Sequence, residues 1–337
     1  MSRKPREISK ILVIKLGALG DFVQALAAMA HIRAAHPKAH ITLLTTPPFE
    51  ALARASPYFN DVESDGRPAG IGDNIGMIRR LRRNRYDRVY DLQTSSRSNL
   101  YFYLLGPFPP QWSGTAFGCS LPHRNRDRGR MHTLERQAEQ LKDAGIWPNA
   151  PITSGSAPPP DISWILKKGA AASARPANTA GTSRPYVLFV PGSSEHRPEK
   201  RWTIDGFAEL GEALRKRNLE ILIVGNMQES SLARAIQRKV QARDLTGRTD
   251  FAQIAALGAR ATLAVGNDTG PMHLIAAAGA PTLVLFSSAS DPTLCGPRGH
   301  VAVLQAANLA ELSARDVISA VDRLAPPPPP SLYRTAP

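Results

Sequence analysis

Cysteine is nearly missing from this sequence: Cys119 and Cys295 are the two in 337 residues, far apart and in no CxxC or Cys/His spacing. A disulfide framework or a structural zinc site therefore has no support, and a reducing compartment is the expected setting. Long apolar runs are missing too, since no window of about 18 apolar residues is free of charge, which excludes a membrane-spanning helix. Aromatic residues make up 6% and no stacking motif accompanies the basic stretches, so RNA binding would rest on charge alone. GxxxxGK[ST], HExxH, GxSxG and EF-hand patterns are all absent, and kinases, zinc proteases and serine hydrolases drop away with them. Acidic residues are outnumbered, 28 Asp and Glu against 42 Lys and Arg, leaving a net charge of +14. Such an excess invites an anionic partner: nucleic acid, an anionic membrane surface or a phosphorylated substrate.

What is present is ordinary globular material, 42% hydrophobic and 21% charged, long enough for about two domains. Arg3, Lys4 and Arg6 precede an apolar stretch that superficially resembles a signal peptide, but Lys15 and Asp21 interrupt it. The run Ile11 to Leu16 reads instead as a strand buried on both faces, and Phe22, Leu26 and Met29 continue it into a helix closed by His36 and Pro37. Strands at 41–45 and 88–93 and helices at 47–56 and 71–85 extend the alternation, which predicts a doubly wound α/β domain over residues 1–150. The Pro, Ser, Gly and Ala-rich stretch 151–185 reads as a linker. A second α/β series fills 186–325: strands at 186–190, 220–224, 262–265 and 282–286, with helices at 203–217, 230–241 and 251–259, after Pro271, and ending near Leu324. Residues 326–337 read as a proline-rich tail.

Two strand-to-helix turns carry candidate chemistry. Gly17-Ala18-Leu19-Gly20-Asp21 lets the backbone turn tightly and sets Asp21 where a parallel sheet's carboxyl edge opens, although Asp21 could simply cap the helix. A GxGxxG fingerprint would need glycine at 19 and 22, where Leu19 and Phe22 stand, and no acid closes the second strand, so NAD binding is disfavoured. The second turn is Gly266-Asn267-Asp268-Thr269-Gly270-Pro271-Met272-His273. Pro271 suits the start of a helix whose free N–H groups would receive an anion, and Asp268 or Thr269 can cap it. A helix terminus contributes about 0.3 to 1 kcal/mol, so a diphosphate also needs a cation. Lys200 and Arg201, in the loop from Pro191 to Trp202, could supply it from the opposite wall. Asp268 would repel a phosphate and is better used on backbone amides or a sugar hydroxyl. Two arginine-rich stretches, Arg79 to Arg88 and Arg124 to Arg130, are either solvated faces or contacts for phosphorylated lipid headgroups.

Taken together, GALGD, DLQTSSRS at 91–98, PGSSEHRPEKRW at 191–202 and GNDTGPMH at 266–273 resemble glycosyltransferase family 9, the family of lipopolysaccharide heptosyltransferases. The resemblance implies a GT-B architecture of two Rossmann-like doubly wound domains facing across a cleft, acceptor on the first and nucleotide sugar on the second. It implies an inverting transfer from ADP-heptose to a Kdo or heptose hydroxyl of the lipopolysaccharide inner core, with no cofactor and no metal demanded. By the same resemblance Asp21 is the general base, while Ser193, Lys200, Asp268, Thr269, Gly270 and His273 bind donor. Gly20, Gln93, Arg97 and Arg124 are the acceptor-side candidates. The implied partners are a nucleotide sugar and an anionic glycolipid of the Kdo-lipid A type, with no nucleic acid, and the implied location is cytoplasmic, peripheral to the inner membrane. Two departures stand out. Asn226, Met227 and Gln228 occupy the place where the family often puts a ribose-binding acid, and Ala27 replaces an early helix proline. Another nucleotide sugar or acceptor, or a non-catalytic scaffold that binds anionic glycolipid, remain the alternatives.

Overall fold

The structure, a computed structural model, describes residues 8–172, 184–193 and 196–326. The chain divides after Trp164 into two compact units.

In unit 1 the strands are β1 (Lys10–Ile14), β2 (His40–Leu44), β3 (Asp61–Glu63), β4 (Arg88–Asp91), β5 (Gln111–Gly114) and β6 (Leu121–Pro122). They form one six-stranded sheet of order β3-β2-β1-β4-β5-β6, parallel throughout. Ile11 to Ile14 are wholly buried, as a central parallel strand covered on both faces requires. The intervening helices are α1 (Leu19–Ala35), α2 (Pro47–Ala55), α3 (Ile71–Asn84), α4 (Ser96–Leu105) and α5 (Thr133–Asp143). Trp112 of β5 and Phe102 of α4 meet edge to face at 5.4 Å in the core beneath α3 and α4.

The segment expected as a linker carries a helix, α6 (Ser163–Ala172). Ile162 and Ile165, each 2% exposed, give it an apolar anchor that the surrounding low-complexity composition hides. Residues 173–183 of that segment lie outside the described residues, as do residues 327–337 of the expected tail.

Unit 2 repeats the scheme with β7 (Tyr186–Val190), β8 (Glu220–Ile223), β9 (Arg243–Asp244), β10 (Leu263–Asn267), β11 (Thr282–Phe286) and β12 (Val301–Gln305). Their order, β12-β11-β10-β7-β8-β9, is again parallel. The helices are α7 (Ile204–Arg215), α8 (Ser230–Gln237), α9 (Phe251–Gly258), α10 (Gly270–Ala277), α11 (Pro292–Cys295) and α12 (Ala314–Leu324). Thr203 caps α7 by accepting from the Gly206 N–H at 2.9 Å, as its place in the sequence predicts. Phe189, Phe207 and Trp202 stack obliquely at the centre of this core.

In each unit the first strand lies beside the fourth, so successive strands depart on opposite sides of that junction. The loops leaving these two strands diverge and leave a crevice at the carboxyl edge, where doubly wound sheets take ligands. The junctions are β1/β4 in unit 1 and β7/β10 in unit 2. Among the described residues no helix is long and apolar enough to cross a membrane.

Candidate active site

At the unit 1 junction, β1 runs through Lys15 and Leu16 to Gly17, whose φ of +108° suits glycine and whose absent Cβ would stand 2.4 Å from Phe49. α1 starts immediately, with Ala18 as its N-cap and no side-chain capping bond. Asp21 therefore lies inside the first turn and is not the cap, where the helix dipole favours a carboxylate. Gly20 is buried beside it. Lys15 is enclosed, its ammonium donating to the Leu92 carbonyl at 3.3 Å. Burial pulls its pKa down, Asp21 and Asp91 oppose that pull, and Arg136 and Arg67 add to it.

The other side of the junction is the end of β4. Asp91 is fully buried, and its Oδ1 accepts from the N–H groups of Gln93 at 3.0 Å and Thr94 at 2.9 Å. Desolvation raises the Asp91 carboxyl to about 6, against the lowering effect of its hydrogen bonds and of Lys15. Gln93 ties the two sides together, its Oε1 accepting from the Leu16 N–H at 2.9 Å. Arg97 is exposed in the first turn of α4, and Arg124 is exposed in the loop after β6. Arg128 reaches Thr94 Oγ1 at 3.2 Å and His123 Nδ1 at 3.1 Å. Lys15 places positive charge within electrostatic reach of both Asp21 and Asp91, and Arg128 within reach of Asp91.

At the unit 2 junction, Lys200 Nζ lies 2.6 Å from Asp268 Oδ2, and Ser290 Oγ donates to the same oxygen at 2.6 Å. Asn267, wholly buried, fastens the loops together. Its Oδ1 accepts from the Trp202 N–H at 3.0 Å and its Nδ2 donates to the Pro191 carbonyl at 2.7 Å. Thr269 is the N-cap of α10 but makes no side-chain capping bond, Gly270 and Pro271 open the helix, and His273 is buried in its first turn. Proline has no N–H, so the terminus offers an anion the amides around it. Ser193 Oγ donates to the Arg197 carbonyl and accepts from Arg201 Nε at 3.1 Å.

Two expectations change here. Asp268, expected on backbone amides or a sugar hydroxyl, is engaged through its Oδ2 with Lys200 and Ser290, and the lysine's charge offsets its own. Arg201 is turned toward Ser193, so Lys200 is the cation at the turn. An ammonium has three donors, and one is spent on Asp268, leaving two for a ligand oxygen.

Several residues at these junctions escape a sequence reading. Lys15 registers there only as an interruption of an apolar run, and Asp91 only as part of a string. Glu229 sits beyond the position of the expected ribose acid. In the structure it is 9% exposed, accepts from the Asn226 N–H at 2.7 Å and is raised in pKa by burial. A Cβ at Gly192 would fall 1.7 Å from its Oε1, so two glycine-bearing loop starts make room for this carboxylate. The signal available was Asn-x-x-Glu after a strand, a capping-box spacing. Ser290 carries no such signal. Among the described residues no group of three or more His, Cys, Asp or Glu could hold a metal ion.

Comparison with known proteins identifies the family and the fold. The family model described as glycosyltransferase family 9 (heptosyltransferase) matches residues 75–317. Lipopolysaccharide heptosyltransferase 2 of Escherichia coli K12 is 27% identical over 319 residues, which cover 87% of this chain and 86% of that protein. The solved E. coli ADP-heptose lipopolysaccharide heptosyltransferase II superposes with a TM-score of 0.77 at 24% identity, covering 94% of this chain and 98% of the other. An E. coli heptosyltransferase solved with ADP gives 0.69 at 19% identity, covering 94% and 100%. The paired parallel sheets are thus of the GT-B type. With the family model matching well over half its length, the chain belongs to glycosyltransferase family 9, the heptosyltransferases.

Proposed function

We propose that this glycosyltransferase moves heptose from ADP-heptose, with inversion, to a Kdo or heptose hydroxyl of the lipopolysaccharide inner core. The observation that carries the reading is Lys200, held by Asp268 and Ser290 at the open N-terminus of α10. A diphosphate there meets a positioned ammonium and helix amides together. Asp21 takes the proton of the attacking acceptor hydroxyl as the new C–O bond forms at the anomeric carbon. The bond from that carbon to the ADP oxygen breaks, and Lys200 and the α10 terminus offset the charge left on the diphosphate. Ser193, Thr269, Gly270 and His273 line the donor side, and Gly20, Gln93, Arg97 and Arg124 the acceptor side. The relative solved with ADP and the E. coli ADP-heptose heptosyltransferase II support the choice of nucleotide. A scaffold that only binds glycolipid would not need both Asp21 and Lys200. Since nucleotide sugars are cytosolic and this acceptor is lipid-linked, the protein works at the cytoplasmic face of the inner membrane.

The test is ADP release from ADP-heptose with a Kdo-lipid A acceptor, alongside thermal shifts with ADP, UDP and GDP. ADP at 100 times its dissociation constant adds about 2.7 kcal/mol of stability. Asp21→Asn should lower turnover by about 10² to 10⁴ with the ADP shift intact, and Lys200→Ala should diminish the shift and the rate together. Selective stabilisation by UDP would move the reading to another donor, and full turnover in Asp21→Asn would remove Asp21 from the mechanism.

A further inference from the structure

Nine large hydrophobic side chains are exposed among the described residues, and seven of them lie between Ile71 and Phe117. That concentration is not the scatter of single apolar residues normal on a soluble surface. On α4, Leu100, Tyr103 and Leu104 fall at i, i+3 and i+4 and form one outward stripe, while Tyr101, Phe102 and Leu105 face the core. Phe108 and Phe117, in the loops on either side of β5, are 93% and 90% exposed, and Ile71 at the start of α3 is 83% exposed.

Tyr103, Leu104, Phe108 and Phe117 form one neighbourhood. The Phe117 N–H donates to Tyr103 Oη at 3.1 Å, and Arg82 of α3 donates to the Leu104 and Gly106 carbonyls at 2.6 and 3.1 Å. Phe108, Arg82 and Arg85 line the same groove of about 560 Å³. Exposed Arg79, Arg82, Arg83 and Arg85 border the patch, whereas Asp73 is the single acid on α3 and none occurs from Ser96 to Phe117.

We infer that α3, α4 and the loops around β5 form the surface by which this protein docks on an anionic lipid bilayer. Charge decides the occupant. Guanidinium groups pair with headgroup phosphates, and aromatic and leucine side chains enter the boundary between headgroups and acyl chains. Phe108 and Phe117 project singly from loops, a shape that a deformable bilayer accommodates and a rigid protein face without matching sockets does not. The inference rests on the lipid-linked acceptor proposed above only for its purpose, since the surface would dock whatever the sugar.

The experiment is flotation of the full chain with vesicles of phosphatidylglycerol and phosphatidylethanolamine, and with phosphatidylcholine alone. The wild type should float with the anionic vesicles and stay behind with the neutral ones. Leu104→Ser/Phe108→Ser/Phe117→Ser should lose flotation. Arg79→Glu/Arg83→Glu should lose roughly fivefold in affinity or more for each arginine. Both variants should keep the ADP thermal shift and the transfer rate to a deacylated, soluble acceptor, which also shows that they fold. A wild type that does not float, or variants that float equally well, would overturn the inference. So would a wild-type dimer that the triple serine variant converts to monomer without change in lipid binding, because the patch would then belong to a second copy. Absence of transfer to the soluble acceptor in the wild type would defeat the proposed reaction while leaving the flotation result standing.

Discussion

Asp91 shows how one enclosed carboxyl shapes the response of the protein to pH. Its pKa is raised to about 6 by desolvation, so the native state holds the proton that the unfolded chain releases near pH 4. Its favourable contribution is complete below that lower value and is lost as pH rises through 6. His36 acts oppositely. Desolvation, then Arg88 and Arg33, depress it to about 4, so its contribution is lost as pH falls from 6.5 to 4. In the wild type the two slopes oppose each other over most of that range. Asp91→Asn keeps an acceptor for the Gln93 and Thr94 amides and removes the titration. Relative to the wild type it should gain about 2 to 3 kcal/mol between pH 4 and pH 7, measured by urea unfolding at a series of pH values. Parallel pH profiles for the two proteins would show that Asp91 titrates as an ordinary carboxyl.

At the scale of elements, the first glycine of GNDTGPMH is a packing residue. Gly266 lies within β10, where a Cβ would meet the Val190 carbonyl oxygen at 2.8 Å, Val190 Cβ at 2.7 Å and Met272 Sδ at 2.7 Å. Backbone cannot yield as a side chain does, so Gly266→Ala should force β10 away from β7 and α10. It should cost about 1 to 3 kcal/mol in unfolding free energy and weaken ADP binding, because Asn267 and Asp268 follow directly.

The elements that position the site were the readable ones. Ile11 to Ile14, Tyr186 to Val190 and Leu283 to Phe286 are unbroken apolar runs of the kind a doubly covered strand carries, and Thr203 marks a helix start by its chemistry. The elements that escaped carry weaker patterns. α4 has apolar residues on both its buried and its exposed faces, so its period is blurred. α5 opens with His132 as its cap, a residue rarely read that way. β12 is half-exposed throughout. Of the candidate site, the turns were legible because short strings join glycine to acid. The Lys200–Asp268–Ser290 cluster was not, since residues 68 and 22 positions apart meet through the sheet order alone.

On the scale of the whole molecule, one topology is used twice, and each copy places its candidate site residues at the same crossing of first and fourth strands. A charge of +14 is spread over both copies; in unit 1 part of it borders the apolar patch on α3 and α4, whereas in unit 2 the Lys200 turn is balanced by Asp268. The same sheets carry a further consequence at their margins. β3, β6 and β9, three of the four outermost strands, are three, two and two residues long, too short to template pairing with a foreign chain. The fourth, β12, is five residues long with Val303 exposed. Three of its edges thus offer little for amyloid-like growth to extend, and β12 is the margin where an incoming strand would find the longest row of backbone partners.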